Sequence, residues 1–179
     1  MLFRSGGVGG FARTMPDEDV LDSGLISKAY LCARMVVAMG GRAAELVVFG
    51  PSEVTQGAQG DLELVSRIGR EMVTRYGFSS LGPVALETDG AEVFLGRDWL
   101  RSEPHYSRET GNRIDAQVQQ LARQALDQAV ALLQPRRALM DELVTLLIET
   151  ETIEGPAFSA IVERREAQEL PAGAPALTA

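Results

Sequence analysis

Asp61-Leu62-Glu63-Leu64-Val65-Ser66-Arg67-Ile68-Gly69-Arg70-Glu71-Met72-Val73-Thr74-Arg75-Tyr76-Gly77 is the stretch on which the fold turns. Leu62, Val65, Ile68, Met72 and Tyr76 step along one face at three- and four-residue intervals, the period of an amphipathic α-helix, and Gly77 stands where such a helix ends. Before it, Ser52 to Gly60 is polar and holds Thr55-Gln56-Gly57 and Gln59-Gly60, residues that let a backbone turn tightly near a ligand. Further upstream the pattern is again helical, from Ser23 as N-cap through Leu25, Ala29, Cys32, Val36 and Met39, past Gly40-Gly41, to Phe49. Gly50-Pro51 ends it. Adjacent glycines inside a helix cost about 1 kcal/mol each relative to alanine, so a close-packed partner helix is expected against them.

Downstream, two short runs, Leu81 to Leu86 and Val93 to Gly96, flank Asp89-Gly90 and predict a hairpin, which Pro83 would confine to an edge. Ser107 then caps a long helix carrying Ile114, Val118, Leu121, Ala125, Ala129 and Leu132, which Pro135 stops. A second helix carries Leu139, Leu143, Leu146 and Leu147. The short connection predicts an antiparallel helical hairpin, from Ser107 to Leu133 and from Arg137 to Glu149, and a last amphipathic helix follows over Ala157 to Glu166. At the other end, Phe11 to Met15 predicts a short strand between glycine-rich and acidic loops, and the Pro- and Ala-rich stretch after Leu170 is expected to be disordered. The fold class is mainly α with minor strand content.

Composition narrows the function. The 179 residues carry 17 Lys+Arg against 25 Asp+Glu, a net charge of −8 spread along the chain, and no basic cluster of the kind that binds nucleic acid. No apolar run is long enough for direct membrane insertion. One cysteine, Cys32, excludes an internal disulfide and is expected to be buried, and one histidine, His105, excludes any zinc site needing two imidazoles from this sequence. His105 reads as an exposed loop residue.

Asp61 is the residue with the most chemistry to offer. At a helix start its carboxylate either caps free backbone N–H groups or, held there, serves as an oriented metal ligand. Glu45, on an apolar helix beside Leu46 and Val47, either pairs with an arginine such as Arg42 or steers a metal-bound imidazole from behind. The strand Phe11, Ala12, Arg13, Thr14, Met15 is either plain sheet or an edge to which an extended peptide adds by β-augmentation.

Five segments, Gly10 to Asp19, Gly40-Gly41-Arg42-Ala43-Ala44-Glu45, Thr55-Gln56-Gly57-Ala58-Gln59-Gly60-Asp61-Leu62, Met72-Val73-Thr74-Arg75-Tyr76-Gly77 and Phe94-Leu95-Gly96-Arg97, resemble the peptidase domain of FtsH-type ATP-dependent zinc metalloproteases, in the family's order. The resemblance runs over residues 6–166, with 1–5 as a non-matching segment and 167–179 as a disordered tail. It implies a helical peptidase domain, zinc as cofactor, protein substrates and a homo-hexameric parent. That parent would be membrane-associated, with this domain on the cytoplasmic, stromal or matrix side, and ATP would be used only by a separate ATPase module. It also implies that Asp61 matches the third zinc ligand, and with it go the readings of Glu45 as the carboxylate behind the metal and of the strand 11–15 as the substrate edge. The family's HExxH helix, with two histidines and the catalytic glutamate, lies just upstream of the position where this sequence begins. The resemblance therefore puts no catalytic residue in this chain, which is expected to be soluble and inactive alone. Leu46 replaces a second acidic residue, and Gln59-Gly60 replaces the more usual Ser-Asn before the aspartate, where Gly60 would loosen the loop. The alternative is a non-catalytic helical module that kept the fold for interaction or oligomerisation.

Overall fold

The computed structural model describes residues 2–5, 8–12, 25–87 and 106–169. They divide into two compact units, one formed by residues 25–135 and the other by residues 1–24 with 136–179.

The first unit is helical. Helix α1 (Lys28–Ala38) begins at Ser27, whose hydroxyl accepts the Tyr30 N–H at 3.1 Å. The single helix expected to run to Phe49 is two: α1 stops at Met39, and α2 (Gly40–Phe49) starts on the glycine pair. The close-packed partner helix expected against that pair is not found among the described residues. Among the described residues nothing lies within 4 Å of where a Cβ on Gly40 would stand, and beside Gly41 the neighbour is Asp61 Oδ2 at 4.0 Å. The glycines open a helix start, a cheaper place for them than a helix interior.

Two short 3₁₀ turns, Pro51–Glu53 and Gln56–Ala58, lead into α3 (Gln59–Thr74), and α4 (Arg108–Leu133) closes the unit. Ser107 caps α4 as expected, accepting the Thr110 N–H at 3.2 Å. Helix α4 packs on α1, α2 and α3, and α1 packs on α3. The core is Leu31, Met35, Met39 and Ala43 from the α1–α2 arm, Val65, Ile68 and Met72 from α3, and Ala125 and Ala129 from α4. Gly69 lets α3 approach closely: a Cβ there would meet Val118 Cγ1 at 3.4 Å and Met35 Cε at 3.6 Å.

Two stripes are corrected. On α1 Leu31 and Met35 bury, each one position before the predicted Cys32 and Val36, which flank the core half-buried, while Met39 is buried as expected and Leu25 is 81% exposed. On α3 the ends of the predicted face, Leu62 and Tyr76, are 38% and 48% exposed, because the neighbouring helices cover only the middle of α3. Leu81 to Leu86 forms no strand. The Leu86 and Glu87 N–H groups instead donate to the Thr74 carbonyl at 2.6 and 3.1 Å. The rest of that expected hairpin, with His105, lies outside the described residues, as do Ser23 and the tail from Leu170.

The second unit holds a three-stranded sheet. Strands β1 (Leu2–Ser5) and β2 (Val8–Ala12) form an antiparallel hairpin, with Leu2 opposite Ala12 and Phe3 opposite Phe11. Strand β3 (Thr152–Ile153) pairs antiparallel on the other side of β1, giving the order β2-β1-β3. The strand expected at residues 11–15 thus starts earlier, at Val8, and has a hairpin partner that glycine-rich punctuation concealed. Helices α5 (Arg137–Thr150) and α6 (Gly155–Glu169) flank β3 in sequence. Leu139 and Ile153 are buried, Arg136 bonds Glu166 at 3.2 Å, and Glu142 holds both Arg164 and Arg165. Both helices expected of the C-terminal pair are formed, and the molecule is mainly α.

Candidate functional site

The site is built where α2 ends and α3 begins. Gly50, at φ +84°, turns the chain out of α2, a conformation that costs a side-chain-bearing residue strain. Five residues on, Thr55 is gripped from three directions. Its hydroxyl donates to Glu45 Oε1 at 2.5 Å, its N–H donates to Glu45 Oε2 at 3.2 Å, and its carbonyl accepts from Arg42 Nη2 at 2.8 Å. The same hydroxyl accepts the Gly57 N–H at 3.1 Å, an ST-turn that folds the loop over itself. Arg42 Nε lies 3.4 Å from Glu45 Oε2, so the two α2 side chains that hold Thr55 also neutralise each other. The bonds from the Thr55 hydroxyl and N–H, with Arg42 beside them, hold the Glu45 carboxyl below its ordinary value.

Asp61 is the third residue of α3, inside its first turn rather than at its cap. The N-cap position is Ala58, which has no side-chain bond to offer. Asp61 therefore does not cap as a side-chain acceptor. Its carboxylate is exposed and, among the described residues, takes part in no hydrogen bond or ion pair. One of its oxygens faces Gly41 across a gap that the missing side chain leaves. An aspartate in a first helical turn is favoured by the helix dipole. With its lone pairs unclaimed, it has capacity left for a cation.

Glu45 is paired with Arg42, and its oxygens are spent on Thr55, a loop residue. The expected Glu45–Arg42 pairing is formed, and the structure adds a role for Thr55 and Arg42 that the sequence offered only as a polar turn and as a charge partner: they lock the loop. The available signal was a threonine two residues before a glycine, the pattern of a hydroxyl-closed turn. Beside them Arg42, Gln56, Gln59, Leu62, Glu63 and Ser66 line an open cavity of about 500 Å³. Among the described residues no group of three or more His, Cys, Asp or Glu side chains is placed to hold a metal. Asp61 can supply one corner of a tetrahedral zinc site, and the other corners need ligands from elsewhere.

Of the expected substrate strand, Phe11 and Ala12 belong to β2, an outer strand of the sheet as described; Arg13, Thr14 and Met15 lie outside the described residues. No helix among the described residues is long and apolar enough to cross a membrane.

The chain is 44% identical over 164 residues to the ATP-dependent zinc metalloprotease FtsH 3 of Synechocystis sp., covering 91% of this chain and 26% of that protein. It is 45% identical over 167 residues to the ATP-dependent zinc metalloprotease FtsH of a Synechococcus species, covering 93% and 26%. To the chloroplastic ATP-dependent zinc metalloprotease FTSH 1 of Oryza sativa subsp. japonica it is 40% identical over 157 residues, covering 87% and 23%. The chain thus spans about a quarter of the length of these curated relatives. The model of peptidase family M41 matches residues 2–161, beginning within the segment 1–5 that the sequence set apart and where β1 lies. With the helical core, the glycine-opened α2 and the aspartate-bearing start of α3 all inside that match, the chain belongs to peptidase family M41.

Proposed function

We propose that this chain is the C-terminal part of a zinc metalloendopeptidase domain and that Asp61 supplies one protein ligand to the zinc. The observation that carries this is a carboxylate with no hydrogen-bond or ion-pair partner among the described residues, at the start of a helix behind a locked loop. The remaining ligands and the general base come from an HExxH helix outside the described residues, as the family resemblance implies. Bound there, zinc would polarise the scissile carbonyl and lower the pKa of a water molecule. Asp61 contributes charge and direction. Glu45 acts from behind through the loop, and β2, with Phe11 and Ala12 and an outer strand among the described residues, offers its edge to an extended substrate.

In its longer parent the domain works as an ATP-dependent protease, as the names of its relatives state for them. There it degrades membrane and soluble proteins within a membrane-associated homo-hexamer, facing the cytoplasm or its organellar equivalent. Alone, this chain does not cleave proteins. The second reading, a non-catalytic interaction module, predicts that Asp61 is dispensable for metal.

The test joins the chain to the His-Glu-x-x-His helix that the site requires and compares it with its Asp61→Asn form in zinc content, thermal stability and casein cleavage. Asn is nearly isosteric but lacks the charge of a good zinc ligand. Loss of zinc and of cleavage is expected, with the thermal stability of the two metal-free forms the same. Unchanged zinc with intact cleavage would overturn the assignment.

A further inference from the structure

The first turn of α3 is poorly held by the core. Gln59, Gly60, Asp61 and Leu62 are all exposed, and the N-cap residue Ala58 makes no side-chain cap bond. Ala58 itself, 5% exposed, is the one buried residue of the turn that leads in. Gly60, with nothing near its missing Cβ among the described residues, adds freedom at the position before Asp61. Something else must fix the direction of the Asp61 carboxylate.

We infer that Thr55 is the positioning residue for Asp61: clamped to α2 by Glu45 and Arg42, it holds the start of α3 in place of the missing helix cap. The role rests on Asp61 being a metal ligand, as proposed above. Three features support it. Every polar atom of Thr55 is engaged: N–H and hydroxyl by Glu45, carbonyl by Arg42, with the hydroxyl also accepting from Gly57. The clamp comes from α2, the helix whose Gly41 faces the Asp61 carboxylate, so one rigid element sets both the loop and the space the ligand occupies. Only three residues, Gln56–Ala58, separate Thr55 from the first residue of α3, and they form a 3₁₀ turn, which transmits position where an extended loop would not. Gly57 fits the same design: a Cβ there would stand 3.2 Å from the Thr55 hydroxyl oxygen.

The test uses Thr55→Val, which keeps the shape and removes the hydroxyl, Thr55→Ser, which keeps the hydroxyl, and Glu45→Gln, which weakens the same clamp from the α2 side. In the 179-residue chain, amide hydrogen exchange over residues 56–61 should quicken about 10-fold in Thr55→Val and Glu45→Gln, while exchange near Ala125 and Ala129 in α4 stays unchanged. In the chain joined to the His-Glu-x-x-His helix, zinc affinity, read by competition with a chromogenic chelator, should fall about 10-fold or more for Thr55→Val and stay near the parent value for Thr55→Ser, the range seen when groups that orient metal ligands are lost. Zinc held as tightly by Thr55→Val and Glu45→Gln as by the parent, in a protein that loses zinc on Asp61→Asn, would overturn the positioning role and leave the function standing. Zinc unaffected by Asp61→Asn would overturn both. A purely structural threonine would lower melting temperature and leave the affinity of the folded protein unchanged, which also overturns the inference.

Discussion

The two halves of α3 carry opposite kinds of carboxylate neighbourhood. Toward its C-terminal end, Arg70 Nη2 donates to Glu87 Oε1 at 2.6 Å and to the Tyr106 oxygen at 2.9 Å, and the Tyr106 hydroxyl donates to Glu87 at 2.9 Å. Asp115 adds a looser ion pair to Arg70 at 3.7 Å. Burial pushes the Glu87 carboxyl up, yet the bonds from Arg70, Tyr106 and Thr74 outweigh it and hold the carboxyl below its ordinary value. At the N-terminal end Asp61 has no such partners among the described residues. Glu87, bonded by both Arg70 and Tyr106, ties Arg70 of α3, the segment after that helix and the entrance to α4 into one piece. Asp61 ties nothing, which is what a metal ligand requires. The stiffness it needs comes from Thr55, a residue that never touches the metal in this scheme.

That contrast can be broken most forcefully at the middle of the helix. Met72 is fully buried between α1 and α4, so Met72→Ala should cost about 2–5 kcal/mol in urea unfolding, the range for truncating a long core side chain. A loss under about 1 kcal/mol would mean that α3 is not anchored by its centre, and with it would go the claim that only the first turn needs a separate clamp.

A smaller effect is expected at the Glu87 end. Glu87→Gln keeps the size but removes the charge facing Arg70, for a cost of about 1 kcal/mol, since both partners retain some exposure. The cost should also depend on pH. Because the folded state lowers the Glu87 pKa from 4.5, its contribution is complete above about pH 4.5 and is lost as pH falls through the lower folded value. The stability difference between the parent and Glu87→Gln should therefore be constant near neutrality and close at acid pH. A difference that persisted in acid would show that the charge is not what matters.

The smallest effect should come from Asp61 itself. With no hydrogen bond to lose, Asp61→Asn should change the unfolding free energy of this chain by less than about 0.5 kcal/mol, the small share a first-turn carboxylate draws from the helix dipole. A loss of about 1 kcal/mol or more would make Asp61 a cap, like the serine of α4, and erase the difference between the two ends.

Much of the fold was legible. Helix α3 follows from its period, α4 from Ser107 and Pro135, and the turn out of α2 from Gly50-Pro51, because caps and breakers act through local backbone chemistry. The α1 stripe was misplaced by one residue because Leu31-Cys32 and Met35-Val36 are adjacent apolar pairs, and periodicity cannot choose between neighbouring faces when both are apolar. Packing chooses: α3 and α4 cover Leu31 and Met35. The hairpin β1–β2 was half missed because Gly9-Gly10 reads as a break while the structure places both glycines inside a strand.

By itself, then, the sequence determined the family, the helix periods, the single candidate ligand Asp61 and the impossibility of completing a two-histidine zinc site from one histidine, since each of these depends on which residues occur and at what spacing. Only the tertiary structure decided that Asp61 is not a cap, that Glu45 spends its oxygens on Thr55, and that Gly41 clears a space facing the aspartate. Those are distances between elements that lie apart in the chain. A carboxylate's capacity to bind is set by the partners that folding brings to it or withholds, which local sequence cannot specify.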